Sequence, residues 1–260
     1  MNGLDKFYTK SHVSLHLINV WKEKVLLTDN NSLIIEPSAG NGSFYNILKQ
    51  SFNVVAYDIK PENEEIIKQD FLSLDIPNNC HIIGNPPFGR QSSLAKKFIK
   101  KSCERSLSVS FILPKSFKKE SYQRSFPLNY HLIHSEDLPK NSFTIDKKEY
   151  DVECVFQIWV RKEYDREVEL EEEPLFDFVK KGEGADFAVR RVGVNAGKIS
   201  TNILDANIQS NYFIKIREDV DVFEERYLSS VTFSHNNTVG PRSISKRELI
   251  KEINKILREI

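Results

Sequence analysis

Residues 32–44 read SLIIEPSAGNGSF. A short apolar run ends in an acid, two glycines follow in a turn, and a new stretch begins. SLIIE (32–36) predicts a buried strand and SFYNILKQ (43–50) a helix, so the turn joins a strand to a helix. Gly40 and Gly42 allow positive φ and close approach of the backbone to a ligand. The helix start offers unpaired N–H groups to an anion. Glu36 sits at the carboxyl end of the strand, where open sheets bind ligands. A Gly-x-Gly turn alone is weak, because ordinary strand-to-helix connections share it. Its meaning depends on the flanking sequence.

Upstream, residues 11–24 predict a helix with Ser11 as N-cap and Val13, Leu17, Val20 and Trp21 on one face. Downstream, strands are predicted at 52–58, 80–85 and 107–114, and helices at 61–66, 91–106 and 115–125. Strands alternating with helices imply right-handed βαβ units and a mostly parallel sheet. NYHLIHSEDL (129–138) and YDVECVFQIWVR (150–161) read as two strands with no helix between them, an antiparallel pair at the sheet edge.

Residues 161–173, RKEYDREVELEEE, carry seven acids and three bases before Pro174. This run reads as a solvated linker, which divides the chain into a domain over 1–162, a linker over 163–174 and a module over 175–260. The module has strand candidates at 186–194 and 211–216. It ends in a helix from about Ser243 with Leu249, Ile250, Ile253 and Ile256 on one face, and is expected to be a small α+β unit. Across the 260 residues, 37 basic side chains balance 37 acidic ones, so net charge selects no partner. The three cysteines (Cys80, Cys103, Cys154) lie in or beside apolar runs and show no CxxC spacing. Free thiols, an apolar content without a membrane-length run and a polar start predict a soluble protein of a reducing, intracellular compartment.

Chemistry concentrates at strand ends. Asp58, followed by Ile59, ends the second strand; an acid about 20 residues after a glycine turn suits ribose hydroxyls, or simply opens a surface turn. Asp70 and Phe71 could accept from and flank an adenine ring, or be a polar end beside a core ring. At 81–91 the chain reads HIIGNPPFGRQ. Proline has no N–H, so Pro86 and Pro87 end the ladder. They leave two acceptors, the Asn85 amide oxygen and the Pro86 carbonyl, in one geometry suited to a planar amine. Phe88 offers a face for a base. A rigid turn with a core phenylalanine is the plainer reading.

EPSAGNG, Asp58, Asp70 and NPPF, in that order, resemble the class I S-adenosylmethionine-dependent methyltransferases that modify adenine N6. Within these the chain is similar to the subgroup with cofactor motifs first and a C-terminal target-recognition region; the likeness covers about residues 5–160. It implies a Rossmann-like α/β fold with a seven-stranded, mostly parallel sheet and an antiparallel last strand. It also implies S-adenosylmethionine held by backbone from Ser38 and Ala39 through Gly40 to Gly42, with Glu36 near its amino group. Asp58 and Ile59 would take the ribose, and Asp70 and Phe71 the cofactor adenine. Thr9, in DKFYTKS (5–11), would touch the methionine part, although Lys10 stands where the family has proline. Asn85, Pro86 and Pro87 would hold the target amine, with Phe88 and a later aromatic, Phe143 in the loop 139–152, on the two faces of a flipped base.

Nine basic residues and one acid lie between Arg90 and Lys119. This suits phosphate contacts beside the site, with Arg90 and Lys115 expected to touch a nucleic acid, or an exposed amphipathic helix. DNA is favoured over RNA as partner, with no membrane and a possible separate restriction nuclease. GVNAGKIS (193–200) is one residue short of a phosphate loop, and Ile199 stands where Ser or Thr is needed. His12 and His16 share a helix face but lack further ligands, so no metal is expected. The same NPP core also fits RNA adenine or protein glutamine methylation, and a non-catalytic nucleic-acid-binding subunit remains open.

Overall fold

The computed structural model describes residues 7–25, 32–145, 148–167, 172–231, 233 and 243–260. The chain forms two compact units, Met1–Glu167 and Val168–Ile260.

The first unit runs β1 (Tyr8–Thr9), α1 (Ser11–Lys24), β2 (Ile34–Glu36), α2 (Tyr45–Leu48), β3 (Val54–Asp58), β4 (Ile67–Lys68), β5 (His81–Gly84), α3 (Ser93–Ser102) and β6 (Ser108–Pro114). It continues with α4 (Glu120–Gln123), β7 (Tyr130–Asp137), β8 (Phe143–Ile145), β9 (Lys148–Tyr150) and β10 (Cys154–Arg161). Seven strands form one sheet in the order β4-β3-β2-β5-β6-β10-β7. β2 to β6 pair in parallel, and β10 is antiparallel to both β6 and β7.

The central strands β2, β5 and β6 are buried throughout and mostly apolar because both faces are covered. Successive residues alternate between two cores. Ile35, Ile82, Val109, Phe111 and Trp159 face α3 through Phe98 and Ile99. Ile34, Ile83, Ile112, Phe156 and Ile158 face α1 through Val13, Leu17 and Trp21, and α2 through Leu48. Phe111, in β6, is fully buried. Phe111→Ala should lower unfolding free energy by about 3–5 kcal/mol in urea denaturation.

Five expectations change. The helix expected at 61–66 does not form, because the Glu62 N–H donates to the Gly40 carbonyl at 2.9 Å and ties the segment to the glycine turn. The helix expected at 115–125 breaks into a 3₁₀ turn, Lys115–Lys118, and α4, with Lys119 extended between them. Ser11 is the first residue of α1, and Lys10 occupies the N-cap. β10 lies inside the sheet, leaving β7 alone at that edge. Their patterns explain this: six consecutive residues of β10 are buried, whereas after Tyr130 β7 alternates half-buried and exposed residues. The 139–152 connection is no plain loop; it carries β8 and β9, which join β1 in a small antiparallel sheet.

In the segment expected as linker, residues 168–171 lie outside the described residues. Arg166 donates to the carbonyls of Tyr130 (2.8 Å) and Phe126 (3.0 Å) and lies 5.3 Å over the Trp159 ring, so this part is fixed to the first unit.

The second unit has β11 (Asp177–Phe178), β12 (Phe187–Arg190), β13 (Ile199–Ser200) and β14 (Asn211–Lys215), then α5 (Val220–Ser230) and α6 (Lys246–Leu257). Its antiparallel sheet has the order β11-β14-β12-β13. Phe187, Val189 and Ile214 pack with Phe223 and Tyr227 of α5 and Leu249 and Ile253 of α6. Ser245 and Glu248 form a capping box at the start of α6. GVNAGKIS becomes the β12–β13 connection and β13, with no helix to complete a phosphate loop. Among the described residues, no helix is long and apolar enough to cross a membrane. Cys80, Cys103 and Cys154 are buried free thiols.

Candidate active site

A cavity of about 260 Å³ opens where β2, β3 and β5 end. Thr9, Glu36, Ser38, Ala39, Gly40, Asp58, Ile59, Asp70, Phe71, Asn85 and Pro87 line it, so most of the expected cofactor residues converge. Gly40 has φ +53°, and a Cβ there would lie 3.0 Å from the Tyr8 ring. Asp58 fixes this turn: its carboxylate accepts the Gly40 N–H at 2.8 Å and the Lys60 N–H at 2.7 Å. Asp70 accepts the Leu72 N–H at 2.9 Å. Phe71 stacks on Phe98 at 5.5 Å, and both rings reach the cavity wall.

Glu36 is only 2% exposed and accepts the Tyr45 N–H at 2.7 Å. Burial pushes its carboxyl up to about 8, against the lowering effect of the Tyr45 and Phe44 amides. The folded state therefore favours the protonated acid. The resulting stability is complete below the ordinary carboxyl range and is lost as pH rises through about 8. In thermal melts the ligand-free protein should lose Tm between about pH 5 and pH 9, and Glu36→Gln should flatten that slope.

Asn85 sits at the end of β5. Its Nδ2 donates to the Phe7 carbonyl (3.1 Å) and to Thr9 Oγ1 (3.3 Å), while Ser38 Oγ donates to its carbonyl (3.1 Å). Both amide donors are thus engaged by the strap around β1. Among the described residues no hydrogen bond occupies Asn85 Oδ1. A smaller hollow, lined by Phe7, Asn85, Pro86, Pro87 and Phe88, shares Phe7, Asn85 and Pro87 with the large cavity. Asn85 lies where the two meet.

Some expected residues are placed differently. Gly42 stays off the cavity wall; its carbonyl accepts the Asn46 N–H at 2.9 Å and starts α2. Phe143 is in β8 opposite Thr9, 1% exposed and packed among α1 residues, so it offers no face to a base. The hydrophobic pull of the α1 core outweighs the polar sequence around it. Phe7 instead lines the hollow, with Phe143 behind it at 6.2 Å and Tyr150 beside it at 5.1 Å. Lys115 lines neither cavity; its ammonium lies 3.7 Å from Glu153. Lys101, Arg105 and Lys118 also face acids, whereas Arg90 is exposed with no acidic partner among the described residues. His16 pairs with Glu136 at 3.2 Å, and the described residues hold no metal-type cluster.

Phe7 and Tyr8 were missed as wall residues. The Tyr8 ring covers Gly40 and its hydroxyl donates to Glu62. Their only sequence signal is the FYT triplet ahead of a helix.

An antiparallel strand lies between β6 and β7 of a parallel sheet, and the glycine turn follows β2. The chain has the class I methyltransferase fold. In sequence, 101 residues are 35% identical to the type II methyltransferase M.HincII of Haemophilus influenzae, covering 36% of this chain and 19% of that protein. M.HindII of Haemophilus influenzae strain Rd matches at 35% over 101 residues, 36% of this chain and 18% of that protein. The matched stretch thus spans about a fifth of these relatives. The 23S rRNA methyltransferase ErmE aligns in structure with a TM-score of 0.46 and 14% identity, over 61% of this chain and 71% of that one. No protein-family model matches.

The methyl donor of this class is S-adenosylmethionine, and the cavity residues fit it. A buried acid (Glu36), two further carboxylates (Asp58, Asp70) and a glycine turn packed closely under the Tyr8 ring suit a cationic nucleoside.

Proposed function

We propose that the protein transfers a methyl group from S-adenosylmethionine to the exocyclic N6 of adenine in DNA. The observation that carries this is Asn85: its donors are used by Phe7 and Thr9, and its acceptor is left at the junction of the two cavities. An amine bearing two N–H groups can donate to Asn85 Oδ1 and the Pro86 carbonyl. Its lone pair then points into the large cavity. Backbone from Ser38 to Gly40 and Glu36 hold the methionine part, Asp58 and Ile59 the ribose, and Asp70 and Phe71 the adenine of the cofactor. Thr9 contributes through Asn85.

When bound, the cofactor supplies an electrophilic methyl on a sulfonium. The chain aligns the amine with it, and the fixed acceptors stabilise the positive charge that develops on nitrogen. The extra amine proton leaves afterward to solvent, so no strong base is needed. In a duplex the adenine must first leave the stack, and contact with Phe88 and Phe7 offsets part of that cost. Arg90 contacts the backbone beside the site. The second unit recognises the target.

The test is tritium transfer from labelled S-adenosylmethionine to duplex DNA, RNA and protein in parallel. Label in DNA is expected. Label confined to RNA or to protein glutamine would overturn the DNA assignment.

A further inference from the structure

The residues directly after NPPF form a closed loop. The Phe88 carbonyl accepts the N–H groups of Leu94 (3.1 Å) and Ala95 (3.2 Å), so residues 89–93 bulge outward between hydrogen-bonded ends. Inside it, Ser92 N–H donates to the Gly89 carbonyl at 3.2 Å. Three of these residues have positive φ: Gly89 (+68°), Gln91 (+52°) and Ser92 (+60°).

Gly89 has a local reason. A Cβ there would sit 2.8 Å from the Leu94 Cβ. Ser92 is buried and anchors the loop. Gln91 has no such reason. A residue with a Cβ is disfavoured at positive φ, and glycine would relieve it. The backbone bonds close the loop, but no side-chain contact of Gln91 offsets its conformation among the described residues: Gln91 is exposed, its amide makes no hydrogen bond there, and the start of α3 has no side-chain cap. Backbone strain beside an active site points to a task for the side chain that bears it. Arg90, next to it, is exposed and has no acidic partner among the described residues.

We infer that this loop reads the strand opposite the target, with the Gln91 amide entering the space left by the extruded adenine. The inference rests on the base-extruding reading above. Removing adenine orphans a thymine, whose N3–H donor and O4 acceptor lie side by side. A glutamine amide presents one acceptor and one donor at matching spacing, so it can replace the lost pairing. Arg90 supplies a phosphate contact that holds the loop in register. The occupant must be duplex, because an unpaired adenine leaves no orphan base.

The experiment compares wild type, Gln91→Gly and Gln91→Ala on unmethylated duplex DNA and on the same DNA heat-denatured. Gln91→Gly removes the amide and relieves the backbone, so it should melt no lower than wild type. Its kcat/KM on duplex should fall about tenfold, while that on denatured DNA stays near wild type. Gln91→Ala should show the same duplex-selective loss. Equal losses on both forms, or no loss on duplex, would overturn this inference and leave methyl transfer intact as a function. Absence of transfer by the wild-type protein to either form would overturn the underlying reading itself.

Discussion

Asn85→Ala should lower methyl transfer by about a hundredfold to a thousandfold with S-adenosylmethionine binding close to wild type. In the proposed reaction the residue supplies the fixed acceptor for the amine. Alanine removes it and also releases the Phe7 carbonyl and Thr9 Oγ1 from their shared donor. The large cavity keeps its glycine turn and all three acids, so binding of the methyl donor survives. Asn85→Asp is a sharper probe. It keeps an acceptor but has no donor for Phe7, and the two oxygens would repel. Its activity should fall as well. Tritium transfer reads the first quantity and calorimetric titration the second.

Asp58→Ala should weaken S-adenosylmethionine binding by about a hundredfold in calorimetry, because two charge-assisted hydrogen bonds disappear together. The carboxylate accepts the Gly40 and Lys60 amides at 2.8 and 2.7 Å, so it shapes the turn before any ligand arrives. The loss therefore combines a direct contact with a loosened cradle. Asp58→Asn should recover part of it, since one amide oxygen still accepts while its NH₂ faces a backbone donor.

Much of this was legible because the central strands state their environment. Two-sided burial makes SLIIE, CHIIGN and LSVSFILP largely apolar runs, and the first two end in residues that reach the cavity, Glu36 and Asn85. The strap around β1 was only half legible. Thr9 was placed by likeness, but the roles of Phe7 and Tyr8 depend on β1 pairing with β8, more than a hundred residues away. No local pattern encodes that pairing. Phe143 failed for the same reason: KNSFTID reads as a polar loop until β8 lays its phenylalanine on α1. In the second unit, α5 carries Phe223 and Tyr227 one turn apart and an Asp219 cap, a signal present in the sequence but crowded by acids. Lysines are least legible, since Lys115 and Lys118 look free in sequence and meet Glu153 and Asp137 only in the fold.

The central claim is that Asn85 and Pro86 present an exocyclic adenine amine to the methyl donor. Incubating the protein with S-adenosylmethionine carrying a trideuterated methyl and unmethylated DNA, then digesting to nucleosides for mass spectrometry, tests it most directly. Labelled N6-methyldeoxyadenosine is the expected product, absent with Asn85→Ala. Label on cytosine, or no labelled nucleoside from a preparation that binds the cofactor, would contradict it.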